Sequence, residues 1–157
     1  IGGPLNLKIY QNRLAGYFKA LERAGLEICD SLVIHNSLTR KDGTIAAQKL
    51  FQNENKPDAI FCANDTTALS TIIYLKNIGL KVPDDVLIVG FSNEPFSEVV
   101  TPSISTIKHP GFSMGRKAAE LIIHQINEKV TRAVFETITM PTELIIRDSS
   151  KRIKIEK

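Results

Sequence analysis

Short apolar segments alternate with helix-type segments along most of this 157-residue chain, and this alternation limits its possible folds more than any other feature. Residues 59–63 (AIFCA) and 86–91 (VLIVGF) are almost wholly apolar, as strands are when both faces of their sheet are covered. Residues 65–79, which lie between them, have apolar side chains at helical spacing. The pattern predicts an α/β fold in which a parallel sheet is flanked by helices.

The remaining segments extend this pattern in both directions. Helices are predicted over 10–25, 43–52, 65–79 and 112–129. Strands are predicted over 31–35, 59–63, 86–91, 103–108, 135–140 and 142–148. Asp65 is the predicted N-cap of the third helix, and Gly79 is its predicted C-terminal glycine.

The composition is that of an ordinary soluble globular domain, with 43% hydrophobic and 24% charged residues. No apolar run is long enough to span a bilayer, and residues 1–8 (IGGPLNLK) lack a secretory signal pattern. Cys29 and Cys62 stand in apolar surroundings, which favours free buried thiols over a disulfide and fits a reducing compartment. Because Gly-Gly-Pro at the start resembles the end of a strand, we expect the chain to be a fragment of a larger fold.

The excess positive charge is confined to the C-terminal tail. The net charge is +3, but four of the 20 Lys and Arg residues lie in 151–157, together with one of the 17 acidic residues. The rest of the chain is therefore electrically neutral, whereas DNA-binding domains carry a basic face. We expect that this chain does not itself bind DNA.

Residues 111–115 (GFSMG) match the Gly-x-Ser-x-Gly pattern of the nucleophile elbow in serine hydrolases. Such an enzyme needs its acid and then its histidine after the serine, but here His124 precedes Asp148. His124 also lies eleven residues beyond Ser113 on the same predicted helix, roughly 16 Å away at 1.5 Å per residue. We interpret the pattern as a helix start, with Ser113 as a candidate cap, and we predict that the chain is not an enzyme.

No cofactor and no metal site are predicted. The three histidines are scattered along the sequence, and neither cysteine belongs to a Cys-x-x-Cys pair. The glycine-rich motifs that hold phosphate groups do not occur in the sequence.

Polar residues follow two of the predicted strands at the point where each strand ends. Asn64 follows 59–63, and Ser92 and Asn93 follow 86–91. In parallel sheets, ligands bind in the crevice beyond these carboxyl ends. Asn64 offers a donor and an acceptor, which suits sugar hydroxyls, but the same groups could instead hold turn backbone. Arg13 is either a solvated helix arginine or a donor fork directed at a polar ligand.

Several motifs together closely resemble the effector-binding region of the lactose-repressor (LacI/GalR) family of bacterial transcription regulators. The longest matching segment is 57–95, and its most specific parts are 57–65 (PDAIFCAND) and 82–91 (VPDDVLIVGF). The other matching segments are 1–4 (IGGP), 12–26 (NRLAGYFKALERAGL), 101–123 (TPSISTIKHPGFSMGRKAAELII) and 142–149 (TELIIRDS). The resemblance covers nearly the whole chain in the expected order.

The resemblance implies a periplasmic-binding-protein-like module of two lobes. Residues 1–107 would form the C-terminal lobe. Residues 108–138 would cross the hinge and supply a helix and a strand to the N-terminal lobe, and 139–157 would return to the C-terminal lobe and end in the basic tail. Most of the N-terminal lobe and the helix-turn-helix domain that binds operator DNA would be absent from this chain.

The resemblance also implies roles for individual residues. The positions that match effector contacts of the family are Arg13, Asn64, Ser92, Asn93 and Leu38. Leu69 and Val100 match the family's dimer interface, although the sequence alone favours core positions for both. Ser92 stands where many members have an aspartate, and Leu38 where several members stack an aromatic ring on the effector. These two departures argue against an ordinary hexose as the ligand.

Together these inferences predict the effector-binding part of a cytoplasmic, homodimeric transcription regulator. Its small-molecule effector, of a carbohydrate-like kind, would bind between the lobes, without any membrane contact. The alternative is a periplasmic sugar- or solute-binding protein of a transport system, which has the same fold and crevice. A helix-turn-helix upstream of Ile1 would favour the regulator, and a signal peptide would favour the transport protein.

Overall fold

The computed structural model describes residues 1–127 and 137–152. The helices of these ranges are α1 (Lys8–Arg23), α2 (Arg40–Gln52), α3 (Asp65–Asn77), α4 (Phe96–Val99) and α5 (Gly111–Asn127). The strands are β1 (Ala59–Phe61), β2 (Leu87–Val89), β3 (Thr106–Lys108) and β4 (Glu143–Ile145). Short 3-10 helices span Asp30–Leu32 and Asp148–Ser150.

The strands form a parallel sheet that continues beyond its regular pairs. β1 and β2 are parallel neighbours at its centre. A parallel bridge between Val89 and Ser105 connects β2 to the segment that enters β3. On the other side of β1, Ile1 forms hydrogen bonds with the end of β1, and Gly2 forms a parallel bridge to His35. β4 is antiparallel to β3 at the edge. The α/β fold with a parallel sheet flanked by helices, predicted from the sequence, is confirmed.

Helices α2 and α3 cover one face of the sheet and enclose the core. Gly43 of α2 allows the two helices to approach closely, because a Cβ there would lie 2.9 Å from the Ser70 Cβ and 3.1 Å from the Thr67 Cα. The core side chains, which come from α2, α3 and the sheet, are Leu50, Ile60, Cys62, Ala68, Ile72, Leu75, Val86, Ile88 and Ile104. Their removal from water is the main source of stability in a fold of this kind.

Helix α1 covers the opposite face of the sheet loosely. Every residue of α1 remains at least partly exposed. Tyr17 and Leu21 of α1 line a groove of about 430 Å³ together with Leu87 and Val89 of β2. A cavity of about 70 Å³ separates the first turns of α1, which carry Tyr10, from β1. The two faces of the sheet are therefore packed unequally.

The chain leaves the sheet through a two-stranded ribbon. β3 and β4 pair antiparallel, with Ile107 opposite Leu144. α5 follows β3 closely, and every residue of α5 is at least partly exposed. Its apolar side chains Phe112 and Ile126 are 87% and 69% exposed. In the described part of the chain, no helix has the length and hydropathy needed to cross a bilayer.

Two predicted strands are not formed as predicted. In 31–35, the structure has the 3-10 helix Asp30–Leu32, followed by the isolated bridge at His35. The polar Asp30–Ser31 pair starts a turn that takes Leu32 out of the predicted strand, and the residues after it form only one bridge. The strand predicted over 135–140 lies partly outside the described residues, and 137–140 belong to no strand.

Two predicted N-caps are wrong. Asn64 rather than Asp65 is the N-cap of α3, since the Asn64 Oδ1 accepts from Thr67 N at 2.8 Å. α5 begins at Gly111, so Ser113 lies inside its first turn and not at its cap. Gly79, with a φ of +83°, ends α3 as predicted.

Candidate functional site

The carboxyl ends of β1, β2 and β3 meet at one edge of the sheet, because these strands run parallel. Asn64, Ser92 and Asn93 follow these ends and so gather at the same edge. Arg13 reaches the edge from α1, where its Nη1 donates a hydrogen bond to Ala63 O at 2.8 Å. The structure thus brings together four of the residues selected from the sequence.

The Arg13 guanidinium is held by aromatic rings as well as by backbone. Its Cζ lies 3.6 Å from the centroid of the Phe91 ring and 5.5 Å from that of the Tyr10 ring. Partial burial lowers the pKa of Arg13 from its ordinary value, but a guanidinium keeps its charge at neutral pH. Its remaining N–H groups form a fixed, charged fork, which can bind the oxygen atoms of a polar ligand.

Asn64 serves the backbone with both ends of its amide. Its Oδ1 caps α3 through Thr67 N, and its Nδ2 donates to Leu38 O at 3.0 Å. Asn64 therefore holds turn backbone, which was the structural alternative to ligand binding. The second N–H of its Nδ2 is left for a ligand. Leu38 has a φ of +59° and is only 5% exposed, so it offers its backbone to this edge and not an open apolar face.

Ser92 and Asn93 have left-handed backbone conformations, with φ values of +114° and +54°. Such conformations cost free energy in residues other than glycine and cluster at functional sites. Hydrogen bonds hold the loop in place, from Ser92 N to Ile107 O at 2.9 Å and from Asn93 N to Thr106 Oγ1 at 3.2 Å. Both side chains are half-buried at the edge of the sheet.

Asp65 is the first important residue whose role the sequence did not reveal. Its carboxylate is fully buried and accepts hydrogen bonds from Glu94 N at 2.8 Å and from Thr106 Oγ1 at 2.7 Å. Gly90 leaves room for this carboxylate, because a Cβ there would contact its Oδ1 and lie 3.2 Å from its Cγ. Asp65 thus ties the loop after β1 to the loop after β2 and to β3.

Arg147, two residues beyond β4, is the second such residue. Its Nη2 donates to Asn93 Oδ1 at 2.9 Å, and its Nη1 donates to Ile104 O at 2.9 Å and to Ser97 Oγ at 3.2 Å. These partners are 43 to 54 residues away along the chain. Because no local pattern records such contacts, spacing and periodicity could not predict them.

Phe91 and His109 stack at the same edge, with ring centroids 6.3 Å apart and an angle of 23° between the planes. Phe91 therefore contacts both Arg13 and His109, and adds an aromatic surface to a set of polar groups. The position of Phe91 at the end of a buried strand was a usable signal for this role.

Leu69 belongs to α3, and Val100 follows α4. Both are half-buried and pack against the core, as the sequence alone favoured. Val99, next to Val100, is 79% exposed, and Ile73, one turn after Leu69, is also exposed. Leu69 and Val100 thus pack against the core next to apolar residues that are exposed at the surface.

Ser113 and His124 do not form the geometry of a serine hydrolase. Ser113 and His124 both belong to α5 and are eleven residues apart on it. Within residues 1–127 and 137–152, no group of three His, Cys, Asp or Glu side chains is placed so that it could hold a metal ion.

The sequence pattern of the periplasmic binding protein-like domain matches residues 1–150. The HTH-type transcriptional repressor PurR of Vibrio campbellii is 33% identical over 154 residues, which are 98% of this chain and 45% of that protein. The repressor CytR of Escherichia coli K12 is 33% identical over 153 residues, which are 98% of this chain and 44% of that protein.

Several solved structures have the same fold. The transcriptional regulator CelR in complex with cellobiose superposes with a TM-score of 0.88 at 31% identity, over 96% of this chain and 45% of that one. A LacI-family regulatory protein from Chloroflexus aggregans gives a TM-score of 0.86 at 28% identity, over 96% and 53%.

The chain belongs to the LacI/GalR family. The resemblance inferred from its motifs is therefore confirmed. This LacI/GalR chain has the periplasmic-binding-protein-like fold of the effector-binding region. It spans less than half the length of the PurR and CytR relatives that it matches.

Proposed function

We propose that this chain binds a small-molecule effector at the carboxyl edge of its sheet, as the effector-binding part of a transcription regulator. The observation that carries the proposal is the fixed guanidinium of Arg13 at the edge that also carries Asn64, Ser92 and Asn93. Leu38 borders this group through its backbone. A charged fork, amide N–H groups and a hydroxyl suit a ligand rich in oxygen acceptors, such as a carbohydrate.

The similarity to a regulator in complex with cellobiose supports this ligand class. Two features argue against the way in which many family members hold a hexose. Ser92 is neutral where those members have an aspartate, and Leu38 offers no aromatic ring. Phe91 and His109 supply aromatic surface instead, so we propose a carbohydrate-like ligand with a flat apolar face.

The proposed mechanism is a two-state change between lobes. Residues 1–107 and 139–157 would belong to the C-terminal lobe, and 108–138 would cross the hinge into the N-terminal lobe. An effector that binds between the lobes favours the hinge angle at which its contacts are best. A dimer joined through the surface of Leu69 and Val100 would pass this preference to DNA-binding domains outside this chain. Such a regulator would act in the cytoplasm on operator DNA.

A periplasmic solute-binding protein of a transport system is the second candidate, since it has the same fold. The similarity to PurR and CytR, both of which are named as repressors, favours the regulator. Determining whether a helix-turn-helix or a signal peptide precedes these residues in the intact protein would separate the two candidates.

The proposal is tested with Arg13→Ala in the intact protein, with Arg23→Ala, an exposed arginine of the same helix, as the control. Thermal shift is measured with cellobiose, other disaccharides, pentoses and nucleosides. A compound that raises the Tm of the wild type should fail to do so for Arg13→Ala and should still do so for Arg23→Ala.

The Tm of Arg13→Ala without ligand should fall by only a few degrees. The variant loses one hydrogen bond and a partly exposed ring contact, worth about 1–2 kcal/mol together. An unchanged ligand response in Arg13→Ala would contradict the proposed site. A large loss of stability would show instead that Arg13 is structural.

A further inference from the structure

Arg147 lies in the segment after β4 and reaches the loop after β2, where its Nη2 donates to Asn93 Oδ1 at 2.9 Å. We propose that Arg147 is a positioning residue, which makes Asn93 a hydrogen-bond donor to the bound effector. The inference rests on the proposed function, in which Asn93 lines the effector site.

The chemistry of the two side chains fixes the orientation of the Asn93 amide. An asparagine amide has an acceptor oxygen and a donor nitrogen, and a half-turn of the side chain exchanges them. Arginine has donors only, so the oxygen is the end of Asn93 that can face Arg147. The Nδ2 of Asn93 has no hydrogen-bond partner within residues 1–127 and 137–152. The nitrogen is therefore the end of the amide that a ligand can use.

Arg147 can impose this orientation because it is itself held firmly. Its Nη1 donates to Ile104 O and to Ser97 Oγ. Ser97 is fully buried and gives its own hydroxyl hydrogen to Glu94 O at 2.6 Å, which leaves its oxygen as an acceptor for the guanidinium. The backbone N of Arg147 donates to the buried Ser105 Oγ at 2.7 Å. Both the side chain and the backbone of Arg147 are thus anchored.

A donor at Asn93 restricts the ligand. The ligand atom opposite Nδ2 must be an acceptor, such as a hydroxyl, ether or carbonyl oxygen, or an unprotonated ring nitrogen. A carboxylate at this position would keep the bond to Arg147 but would present only acceptor atoms, and it would therefore oppose the same ligand atom. Asn93→Asp consequently keeps the hydrogen bond to Arg147 and removes the one to the ligand, so the two interactions can be tested separately.

The pairing with Arg147 is tested without ligand, using Asn93→Asp in the intact protein. The pKa of the new carboxyl group, measured by NMR, should lie below the value of about 3.9 for free aspartate, because the guanidinium favours its charged form. At pH values above the pKa of the unfolded chain, a depressed carboxyl pKa stabilises the fold. This stabilisation is lost as the pH falls through the pKa of the folded protein. The Tm relative to wild type should therefore rise by about 1–2 °C between pH 3.5 and pH 7.

That rise should disappear in the double variant with Arg147→Gln. An equal rise in both backgrounds, or a carboxyl pKa at or above about 3.9, would overturn the proposed pairing. If the double variant does not fold, the NMR measurement on Asn93→Asp alone decides, since it leaves Arg147 in place.

The donor role is tested by calorimetry with cellobiose, ribose and adenosine. For a probe that binds the wild type, Asn93→Asp should lower the affinity by about tenfold or more, because a buried acceptor then faces an acceptor. Arg147→Gln should also weaken binding, and Arg147→Lys, which remains a pure donor, should recover part of the loss.

The outcomes distinguish the two proposals. Unchanged affinity in Asn93→Asp would overturn the donor role and leave the effector site standing. If the wild type binds none of the three probes, these compounds are excluded as effectors, and the carboxyl pKa by itself upholds or overturns the orientation set by Arg147.

Discussion

Replacing Asp65 with alanine would remove the buried carboxylate that joins the loop after β1 to the loop after β2 and to β3. The change deletes the acceptor of two hydrogen bonds, from Glu94 N at 2.8 Å and from Thr106 Oγ1 at 2.7 Å. Hydrogen bonds to charged groups are worth about 1.5–3 kcal/mol each, and both donors would lose their partner in a buried place. We expect the free energy of unfolding to fall by about 4 kcal/mol. For a domain of this size, the Tm should fall by roughly 8–16 °C.

Asp65→Asn should cost less, because the amide can accept from Glu94 N with its oxygen and donate to Thr106 Oγ1 with its nitrogen. The loss should be about 1–2 kcal/mol, the difference between charged and neutral hydrogen bonds. Urea unfolding followed by circular dichroism measures both variants, with Asp84→Ala at an exposed aspartate as the control. A loss below about 1 kcal/mol in Asp65→Ala would refute the reasoning, since the two donors would then have found other partners.

Three further predictions concern packing, thiol reactivity and assembly. Gly16→Ala, at an open position of α1, should stabilise the protein by about 0.5–1 kcal/mol, whereas Gly43→Ala should destabilise it by about 1–2 kcal/mol because the new Cβ presses on α3. Effects of the same sign in urea unfolding would contradict this. In a thiol titration, Cys29 should react and Cys62 should stay protected until unfolding, since burial raises the pKa of the Cys62 thiol and disfavours the reactive thiolate. Equal reaction rates would show that the buried site opens readily. Val99→Asp should turn a dimer into a monomer in sedimentation experiments with little change in Tm, and a dimer that persists would argue against the proposed interface.

The sheet and its helices could be predicted because their signals are local. The run 59–63 is apolar whichever neighbour it pairs with, and α3 ends at a glycine that can adopt a φ of +83°. The segment 31–35 failed for the opposite reason. Whether it pairs depends on a distant neighbour, the strand end at Gly2, and that contact produces only one bridge. Strand patterns show which residues suit a sheet but not how far the partner extends.

The same distinction separates the candidate site residues that the sequence marks from those that only the structure brings to the same edge. Arg13 and Asn64 stood out because their motif and strand-end positions mark them in the sequence. Asp65 was taken for a simple cap, since nothing nearby indicates that its carboxylate turns inward to Thr106. Arg147 is 54 residues from Asn93, and only the folded chain brings them together.

In the proposed effector site, the loose packing of α1 would make effector affinity sensitive to temperature. α1 carries Arg13, yet all its residues are partly exposed and cavities lie beneath it. Detaching this helix therefore costs less free energy than unfolding the lobe. A molecule with α1 detached lacks the arginine fork, so the apparent dissociation constant equals the intrinsic one divided by the docked fraction. On warming, the docked fraction falls while α2, α3 and the sheet are still folded. The lobe would thus lose its sensitivity to the effector before it loses its structure.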